Sequence, residues 1–529
     1  MYRVAAILLV GCLCLPAGLS TATTGPAGPE IVELYPNPTA DGDHGEFVTV
    51  RVPPGTNLSQ YRLADEQRSV RLDDTWGNSS AVVFSTHPQR TTSLVGRPVR
   101  ELSDDIQLAN GGERLRLLHN GSVVDEVTYG RAPEGEAYDA ETDAWKPLGR
   151  TDRPVVSGRG GTVETFVLPD SPNRAVEFLE SASERIRLAG YTVTSDRVVD
   201  ALIAAHDRGV DVAVLAEASP VGGLTDEGMA AFDALVDAGV SVRVFAGDPA
   251  RYRYHHAKYA VVDGRALVTT ENWKPAGTGG KASRGWATIT GQTAIVEGLV
   301  ETFRADASWA DTKPWEETKT DTVPDDERAD GGYPSNFEAT ELPVERTRLL
   351  VAPDNAEETL VRTIDRAEES LDIKQVRIGG RNVPLLQATL RAAQRGVRVR
   401  ILLSGAWYVE EENRQMKRWL EEQAAADDLP LSVKIAEPAG SFEKIHAKGL
   451  IVDGEQTFVG SINWGNNSLR NNREVGLLLD GEAVGEYFGS VFERDWRQDD
   501  TQMPVGYVLG CLVGALGAVA VGRRIEFDG

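Results

Sequence analysis

Residues 256–273 read HAKYAVVDGRALVTTENW, and most of this pattern returns at residues 446–464 as HAKGLIVDGEQTFVGSINW. Both copies open with His-Ala-Lys, leave four residues before Asp-Gly, and close with Asn-Trp. The chain holds only seven histidines, yet His256 and His446 occupy the same place in the repeat, 190 residues apart. A histidine needed only for core packing would not require a lysine two residues later in both copies. The repeat therefore predicts two related halves, each with a functional His–Lys pair.

The segments that precede these motifs repeat as well. The sequence VLPD at 167–170 returns as VAPD at 351–354, and the stretch RGVDVAVL at 208–215 returns as RGVRVRIL at 395–402. In the second pair a helix is predicted to end at Gly and an apolar strand to follow. The two offsets, 184 and 187 residues, are nearly constant. This pattern predicts two tandem α/β halves.

The residue types in the repeat favour phosphodiester chemistry. On a strand, residues i and i+2 point to the same face, so each His–Lys pair presents an imidazole and an ammonium together. One imidazole can act as a nucleophile while the other protonates the leaving oxygen. The two lysines, with Asn272 and Asn463, can hold the non-bridging oxygens as negative charge builds. This chemistry requires no metal and no cofactor, and the sequence offers no plausible carboxylate or cysteine cage for one.

The motifs resemble the HxKxxxxD…GSxN signature of the phospholipase D superfamily, whose two copies meet at a pseudo-twofold interface. The resemblance covers about 330 residues, from Val163 to Trp496. It implies that one of His256 and His446 is a phosphohistidine nucleophile and the other a general acid, and it favours the first-half histidine as the nucleophile. It also implies a phosphate clamp of Lys258, Lys448, Asn272 and Asn463, a supporting role outside the phosphate site for Asp263 and Asp453, and orientation of the second histidine by Glu474.

The first half departs from this signature. Its Asp-to-Asn spacing is one residue shorter, and Thr269-Thr270 stands where Gly460-Ser461 stands in the second half. Thr270, like Ser461, can still donate a hydroxyl and is assigned a supporting role. The segment 283–286 matches 472–475, so Gly285 stands where Glu474 is expected. This asymmetry leaves open which histidine is the nucleophile, and it leaves a catalytically inactive half open as well.

Basic residues are dense around the motifs in an otherwise acidic chain. We expect a groove for an anionic substrate there, with Arg251, Arg253, Arg284 and Arg473 as its lining. The alternative is that these arginines form solvated pairs with nearby carboxylates.

The N-terminal part of the chain is predicted to be all-β. Strands are expected at 31–35, 46–52, 114–118 and 123–127, with Asn120-Gly121 as a hairpin turn. The region resembles the lamin-tail domain, which implies an immunoglobulin-like sandwich with an accessory role.

The overall charge gives a further indication. The net charge is −25, and only 11 of the 55 basic residues are lysine. Such a balance is typical of proteins kept soluble in concentrated salt, as in halophilic archaea. It argues against binding nucleic acid over the whole surface, because phosphate binding depends on basic patches.

Both ends of the chain carry apolar segments. Residues 1–22 are predicted to be a secretory signal peptide. Residues 501–522 hold no charge and, as a helix of about 33 Å, would span a bilayer. Arg523 and Arg524 follow directly, which predicts a cytoplasmic tail at 523–529 and an extracellular body. A stripe of small residues in this segment could support a homodimer; its members are Gly506, Gly510 and Gly514.

The predicted fold is a multidomain chain in which an all-β sandwich precedes two tandem α/β halves and a transmembrane helix. The expected segments are a signal peptide (1–22), a sandwich (28–135), a linker (136–162), a first half (163–310), an acidic solvated linker (311–344), a second half (345–498), a membrane helix (501–522) and a tail (523–529). The predicted function is an extracellular, membrane-anchored phosphodiesterase or transphosphatidylase with a phospholipid substrate. The alternatives are an extracellular nuclease and, third, an inactive binding or adhesion module.

Overall fold

The computed structural model describes residues 28–72, 80–102, 106–246, 250–318, 320–325, 329–436 and 440–498. The predicted signal peptide, membrane helix, glycine stripe and tail lie outside these ranges. Within the ranges, no helix is both long and apolar enough to cross a bilayer.

The N-terminal region consists of two sheets around a shared apolar core. Its elements are β1 (Glu30–Tyr35), β2 (Phe47–Arg51), β3 (Tyr61–Ala64), β4 (Ser69–Arg71), β5 (Ala81–Ser85), α1 (Pro88–Val95), β6 (Val99–Glu101), β7 (Glu113–His119), β8 (Ser122–Tyr129), β9 (Glu136–Asp139) and β10 (Ala144–Pro147). One sheet has the order β10-β9-β1-β2-β5-β6 and the other β4-β3-β7-β8. The hairpin at Asn120-Gly121 is confirmed, because His119 pairs with Ser122 and both turn residues have positive φ. The immunoglobulin-like and lamin-tail resemblance stays a prediction.

The boundary predicted at residue 135 is wrong, because β9 and β10 belong to the first sheet of this region. Tyr138 of β9 is buried beside Leu34, its partner on β1, and packs against Trp145 of β10. The expected linker 136–162 therefore contains two strands of the N-terminal region, and only its later part, from Pro147 onward, is rich in Gly and Pro.

The first α/β half contains a long mixed sheet. Its elements are β12 (Thr162–Leu168), α2 (Arg174–Glu180), β13 (Arg185–Gly190), α3 (Asp196–Asp207), β14 (Asp211–Glu217), β15 (Leu224–Thr225), α4 (Asp226–Asp237), β16 (Ser241–Phe245), β17 (Tyr259–Val262), β18 (Arg265–Thr269), β19 (Ser283–Thr290), α5 (Thr293–Ala307), β20 (Thr312–Pro314), β21 (Thr322–Val323) and β22 (Thr340–Pro343). Its sheet has the order β20-β16-β14-β13-β17-β18-β19-β12-β22.

The second half repeats this order. Its elements are β23 (Arg346–Ala352), α6 (Ala356–Asp365), β24 (Ser370–Gln375), α7 (Pro384–Gln394), β25 (Arg398–Ser404), α8 (Glu410–Asp427), β26 (Leu431–Ala436), β27 (Lys444–Ile445), β28 (Gly449–Val452), β29 (Gln456–Gly460), β30 (Glu474–Asp480) and α9 (Glu482–Gln498). Its sheet has the order β11-β23-β30-β29-β28-β24-β25-β26, where β11 (Val156–Arg159) precedes the first half in the chain. The predicted pair of α/β halves is confirmed.

The halves exchange edge strands. Strand β11 lies just before β12 in the chain but pairs with β23 of the second half. Strand β22 lies just before β23 but pairs with β12 of the first half. The predicted solvated linker 311–344 is therefore partly built into the fold. Trp315 in that segment is buried against Phe232, because burial of the large apolar surface of an indole is favourable in free energy.

The apolar cores explain how the halves stay together. Each half has its own core on the outer face of its sheet. A third core lies between the two sheets and includes residues of α5 and α9, with the Trp286 ring 4.6 Å from the Phe488 ring. Burial of this shared core keeps the two sheets face to face, so the residues at one common edge meet across the interface.

Candidate active site

The two His-Ala-Lys triplets lie directly before equivalent strands, β17 and β28. The backbone N–H of His256 donates to the carbonyl of Arg473 at 2.9 Å, and that of His446 donates to the carbonyl of Arg284 at 3.0 Å. Each triplet is thus hydrogen-bonded to the opposite half. The structure brings the two histidines to one interface with their side chains only 12% and 18% exposed.

The two lysines are fully buried beneath the histidines. Lys258 Nζ donates to the carbonyl of His256 at 2.6 Å, and Lys448 Nζ donates to that of His446 at 2.7 Å and of Thr270 at 3.2 Å. Burial lowers the pKa of Lys448 to about 8 and that of Lys258 well below its usual value. Two buried ammonium groups held largely by carbonyls favour the entry of an anion such as a phosphodiester.

Glu474 lies against the first histidine, not the second. His256 Nδ1 is 2.8 Å from Glu474 Oε2, which corrects the expectation that Glu474 orients His446. The reason is the pairing across the interface: Glu474 follows Arg473, whose carbonyl binds the His256 backbone. A carboxylate only accepts hydrogen bonds, so it holds the proton on Nδ1 and leaves the Nε2 lone pair directed into the site.

Sequence reasoning missed the carboxylate that serves the second histidine. Glu271 is 2% exposed and places Oε2 3.1 Å from His446 Nδ1. Gly285 makes this possible, because a Cβ at that position would collide with Cγ and Oε1 of Glu271. A signal was present in the sequence: the first half has Glu where the second has Ile462, and it has Gly where the second has Glu474.

Burial controls the charge state of both histidines. It lowers the pKa of His256 and of His446 to about 4, although the neighbouring carboxylate opposes the shift in each case. Burial acts to raise the pKa of Glu474, but His256 and Lys258 outweigh it, so that pKa lies below its usual value. Both imidazoles are therefore neutral at neutral pH, and a bound phosphodiester anion would favour protonation of one of them.

Three further pairs of predicted residues have one member in each half. Asn272 and Asn463 are half-buried. They occupy equivalent positions just after β18 and β29, and each is close in sequence to the histidine of its own half. Thr270 Oγ1 accepts from the N–H of Trp286 at 3.0 Å, and Ser461 Oγ accepts from that of Val475 at 3.0 Å. These two hydroxyls join neighbouring strands, which is a supporting role.

Asp263 and Asp453 lie at the opposite ends of β17 and β28 from the histidines. Asp263 accepts from the backbone N–H groups of residues 183–185, and Asp453 accepts from those of residues 368–370. Both aspartates therefore fix the loop that precedes the neighbouring strand.

The expected groove of four arginines is wrong for these residues, because each is engaged by carboxylates. Arg284 pairs with Asp170 and Asp495 and is fully buried. Arg473 pairs with Asp306 and Asp354 and is also fully buried. Arg251 pairs with Asp311, and Arg253 pairs with Glu134 of the N-terminal region. Burying an unpaired guanidinium is costly, so arginines this close to the core acquire partners.

A cleft of about 700 Å³ opens beside His446. Its lining includes Glu271, Asn272, Lys444, Trp407 and Tyr408. Among the described residues, no group of three or more His, Cys, Asp or Glu side chains is placed to hold a metal ion. The independence of the chemistry from metal stays a prediction.

Comparisons with known proteins identify the family of the two α/β halves. Residues 175–307 and 360–496 each match the family described as "Cardiolipin synthase, PLD-like domain". Cardiolipin synthase A of Yersinia pseudotuberculosis (strain IP 31758) and of Yersinia pestis are each 35% identical over 101 residues. The matched segment spans 19% of this chain and 19% of either relative.

Two solved structures show a partial likeness to the chain. Phosphatidylserine synthase of Haemophilus influenzae Rd KW20 has a TM-score of 0.47 at 14% identity, over 68% of this chain and 94% of its own. Polyphosphate kinase of Porphyromonas gingivalis has a TM-score of 0.43 at 17% identity, over 63% of this chain and 50% of its own.

The two family matches together cover just over half of the 529 residues. With one His-Ala-Lys triplet in each match, the chain belongs to the PLD-like domain family of the phospholipase D superfamily.

Proposed function

We propose that this protein cleaves or transfers a phospholipid phosphodiester through a phosphohistidine on His256, with His446 as the general acid. The observation that supports this most directly is the arrangement at the interface of the halves. Two histidines meet there, each over a buried lysine and each with a buried carboxylate at Nδ1.

In the first step, Nε2 of His256 attacks phosphorus. An N–P bond forms, the bond from phosphorus to the leaving oxygen breaks, and His446 gives its proton to that oxygen. Lys258 and Lys448 stabilise the charge on the non-bridging oxygens. We assign the nucleophile to His256 because the resemblance to the superfamily signature favours the first-half histidine, and because Glu474 contacts its Nδ1 as a carboxylate whose pKa lies below its usual value.

In the second step, an acceptor hydroxyl replaces the histidine. His446, now neutral, takes the proton of water or of an alcohol while the new O–P bond forms and the N–P bond breaks. Water gives hydrolysis and an alcohol gives transfer, so the same residues serve both reactions.

The charge distribution supports phospholipid over nucleic acid. A nucleic acid would need a track of basic side chains along its backbone. The four arginines expected to form one are paired with carboxylates, and two of them are fully buried. A single phosphodiester needs only the two lysines at the bottom of the site.

The test compares substrates on one preparation of the full chain. A diacyl phospholipid with a labelled head group and a labelled single-stranded DNA are assayed in high salt, with and without chelator and with and without a primary alcohol. We expect head-group release, a transfer product when alcohol is present, and no effect of chelator. His206→Ala, on α3, is the matched histidine control and should retain turnover. Cleavage of DNA with no cleavage of phospholipid would make the protein a nuclease instead.

We also propose that the active domains are extracellular and that residues 501–522 anchor the chain. The support is the uncharged run followed by Arg523-Arg524. Protease added to intact cells should degrade the segment 163–496. Protection of this segment until lysis would contradict the orientation.

A further inference from the structure

Large apolar side chains that are exposed to solvent concentrate around the active-site opening. Seven such residues are found in the part of the chain that the structure describes. Val123 and Val124 lie on β8 of the N-terminal region, and Val155 lies between that region and the first half. The other four form what we call the rim: Val221, Val323, Trp407 and Tyr408. Trp407 is 88% exposed and Val221 is 74% exposed, so most of the indole and most of the isopropyl group lie in water.

The rim residues of the second half lie beside His446. Trp407 and Tyr408 follow β25, and both line the same cleft as His446 and Glu271. Their rings contact each other edge to face at 5.7 Å. The pair therefore forms one aromatic projection at the mouth of the cleft.

In the first half, the rim residue Val221 is connected to His256 through Tyr191. Val221 follows β14, the strand equivalent to β25, and its N–H donates to the hydroxyl of Tyr191 at 2.5 Å. The Tyr191 ring in turn lies 4.6 Å from the His256 ring. Val323 of β21 pairs with Thr225 of β15, a few residues after Val221. Equivalent loops of both halves thus carry exposed apolar groups on either side of the reacting centre.

The last described helix runs toward the same face. In the first turn of helix α9, Gly485 packs on the backbone of Gly454. This contact lies at the end of the β28–β29 hairpin that is remote from the histidines. Near its C-terminal end, Asp495 contacts Lys374 of β24 at 2.5 Å and Arg284 at 3.0 Å. The carbonyl of Arg284 binds the N–H of His446. Helix α9 therefore ends on the active-site side, three residues before the run 501–522 that is predicted to enter a bilayer.

We propose that the rim is a membrane-docking surface, which seats the active-site cleft directly on the bilayer that holds its phospholipid substrate. Tryptophan and tyrosine favour the membrane–water interface, where an apolar ring and a polar group are both accommodated. Apolar groups on both sides of the cleft would enter the head-group layer together and bring a lipid phosphodiester to the histidines between them. This inference rests on the proposed phospholipid substrate, but its test does not depend on turnover.

A nucleic acid could use Trp407 for base stacking. However, the arginines that would bind its backbone are paired with carboxylates, and the net charge of −25 repels a polyanion. The direction of α9 and the apolar groups on two separate loops favour a lipid surface.

The test measures contact between Trp407 and lipid in the full chain, reconstituted in phosphatidylcholine vesicles. Phospholipids brominated on upper acyl carbons quench tryptophan at short range. The fluorescence difference between the wild-type protein and Trp407→Phe isolates Trp407, and Trp145→Phe in the N-terminal region is the matched control. We expect strong quenching of the Trp407 difference signal and none of the Trp145 signal. Absence of quenching at Trp407, or quenching by an oligothymidylate in place of lipid, would overturn the proposal.

A second measurement relates docking to activity. Val221→Asp should lower the ratio of turnover on vesicle phospholipid to turnover on a monomeric short-chain phospholipid by about 10-fold, because a charge replaces an apolar contact with lipid. Val123→Asp, also at an exposed valine, should leave this ratio unchanged. An unchanged ratio in Val221→Asp would overturn the proposal. Quenching at Trp407 without cleavage of any phospholipid would retain the docking surface and overturn the proposed function.

Discussion

The two halves reach the same result at their histidines from different sequence positions. In the second half, the strand β30 carries Glu474 across the interface to His256. In the first half, the equivalent strand β19 carries Gly285, and Glu271 from the end of β18 fills the space that this glycine leaves beside His446. Both imidazoles end with a buried carboxylate at Nδ1. The comparison shows that the position of the carboxylate in space is retained while its position in the chain is not.

The largest expected effects come from removing the histidines themselves. His256→Ala and His446→Ala should each lower turnover of a natural phospholipid by about 10³-fold or more, because each removes a group needed in the same step. The two variants should differ on a phosphodiester with an activated phenolic leaving group, which needs no protonation. There His446→Ala should recover the first step, seen as a burst of phenol release that stops near one equivalent because the second step still needs His446 as its base. His256→Ala should show no burst. Recovery in His256→Ala instead would exchange the two roles.

The covalent intermediate gives an independent measurement of the same assignment. A denaturing quench of the enzyme with substrate at alkaline pH should leave an acid-labile phosphoryl adduct on His256, detectable by mass spectrometry of peptides kept at alkaline pH. An adduct found only on His446 would contradict the proposed roles.

The carboxylates should have the next largest effects. Glu474→Gln and Glu271→Gln should each slow turnover by about 10- to 1,000-fold, by comparison with other groups that orient an acid–base imidazole. An unchanged rate in either variant would show that the carboxylate is dispensable.

The pH profile of kcat/KM separates the two carboxylates. Burial lowers the pKa of both imidazoles to about 4, and each carboxylate opposes that shift. Loss of either carboxylate charge therefore lowers the pKa of its histidine further. The nucleophile must be neutral, so Glu474→Gln should move the acid limb to lower pH. The general acid must be protonated, so Glu271→Gln should move the alkaline limb to lower pH. Movement of the same limb in both variants would contradict the division of roles.

The relocation of the carboxylate predicts a partial rescue. Glu271→Ile gives the first half the residue that the second half has at this position, and adding Gly285→Glu completes the second-half arrangement. The double variant should turn over about 10-fold faster than Glu271→Ile alone, because residues in contact are coupled. Gly285→Glu alone should be poorly active, since its side chain collides with Glu271. A double variant no faster than Glu271→Ile alone would show that the two positions are not interchangeable.

Much of this arrangement could be predicted from the sequence. The repeat of His-Ala-Lys, Asp-Gly and Asn-Trp is strong enough to predict two α/β halves and both His–Lys pairs. Which carboxylate contacts which histidine could not be predicted, because each histidine contacts a carboxylate of the opposite half. Glu271 was missed because alignment of the two halves places it opposite the apolar Ile462. Its role becomes clear only from the space that the missing side chain of Gly285 leaves for it.

The arginines were misjudged for a related reason. A sequence shows that basic residues are close to the histidines but not which carboxylates meet them. Asp306 and Asp495, near the ends of α5 and α9, reach the buried Arg473 and Arg284 from helices that are adjacent only in space. Local basic density in an acidic chain is therefore weak support for an anion groove.

The smallest expected effect concerns the most exposed of these arginines. Arg253 pairs with Glu134, and its side chain is 36% exposed. An exposed ion pair contributes about 0–1 kcal/mol, so Arg253→Ala should change phospholipid turnover by less than about 3-fold and leave thermal stability nearly unchanged. Glu134→Gln is the matched variant, because it breaks the same pair from the N-terminal region and should behave alike. If Arg253 instead bound a substrate backbone, Arg253→Ala would raise KM by 10-fold or more, since a phosphate contact would be lost, while Glu134→Gln would lower KM by freeing the guanidinium. Steady-state KM values for the two variants thus distinguish an arginine that fastens the N-terminal region to the first half from one that contacts substrate.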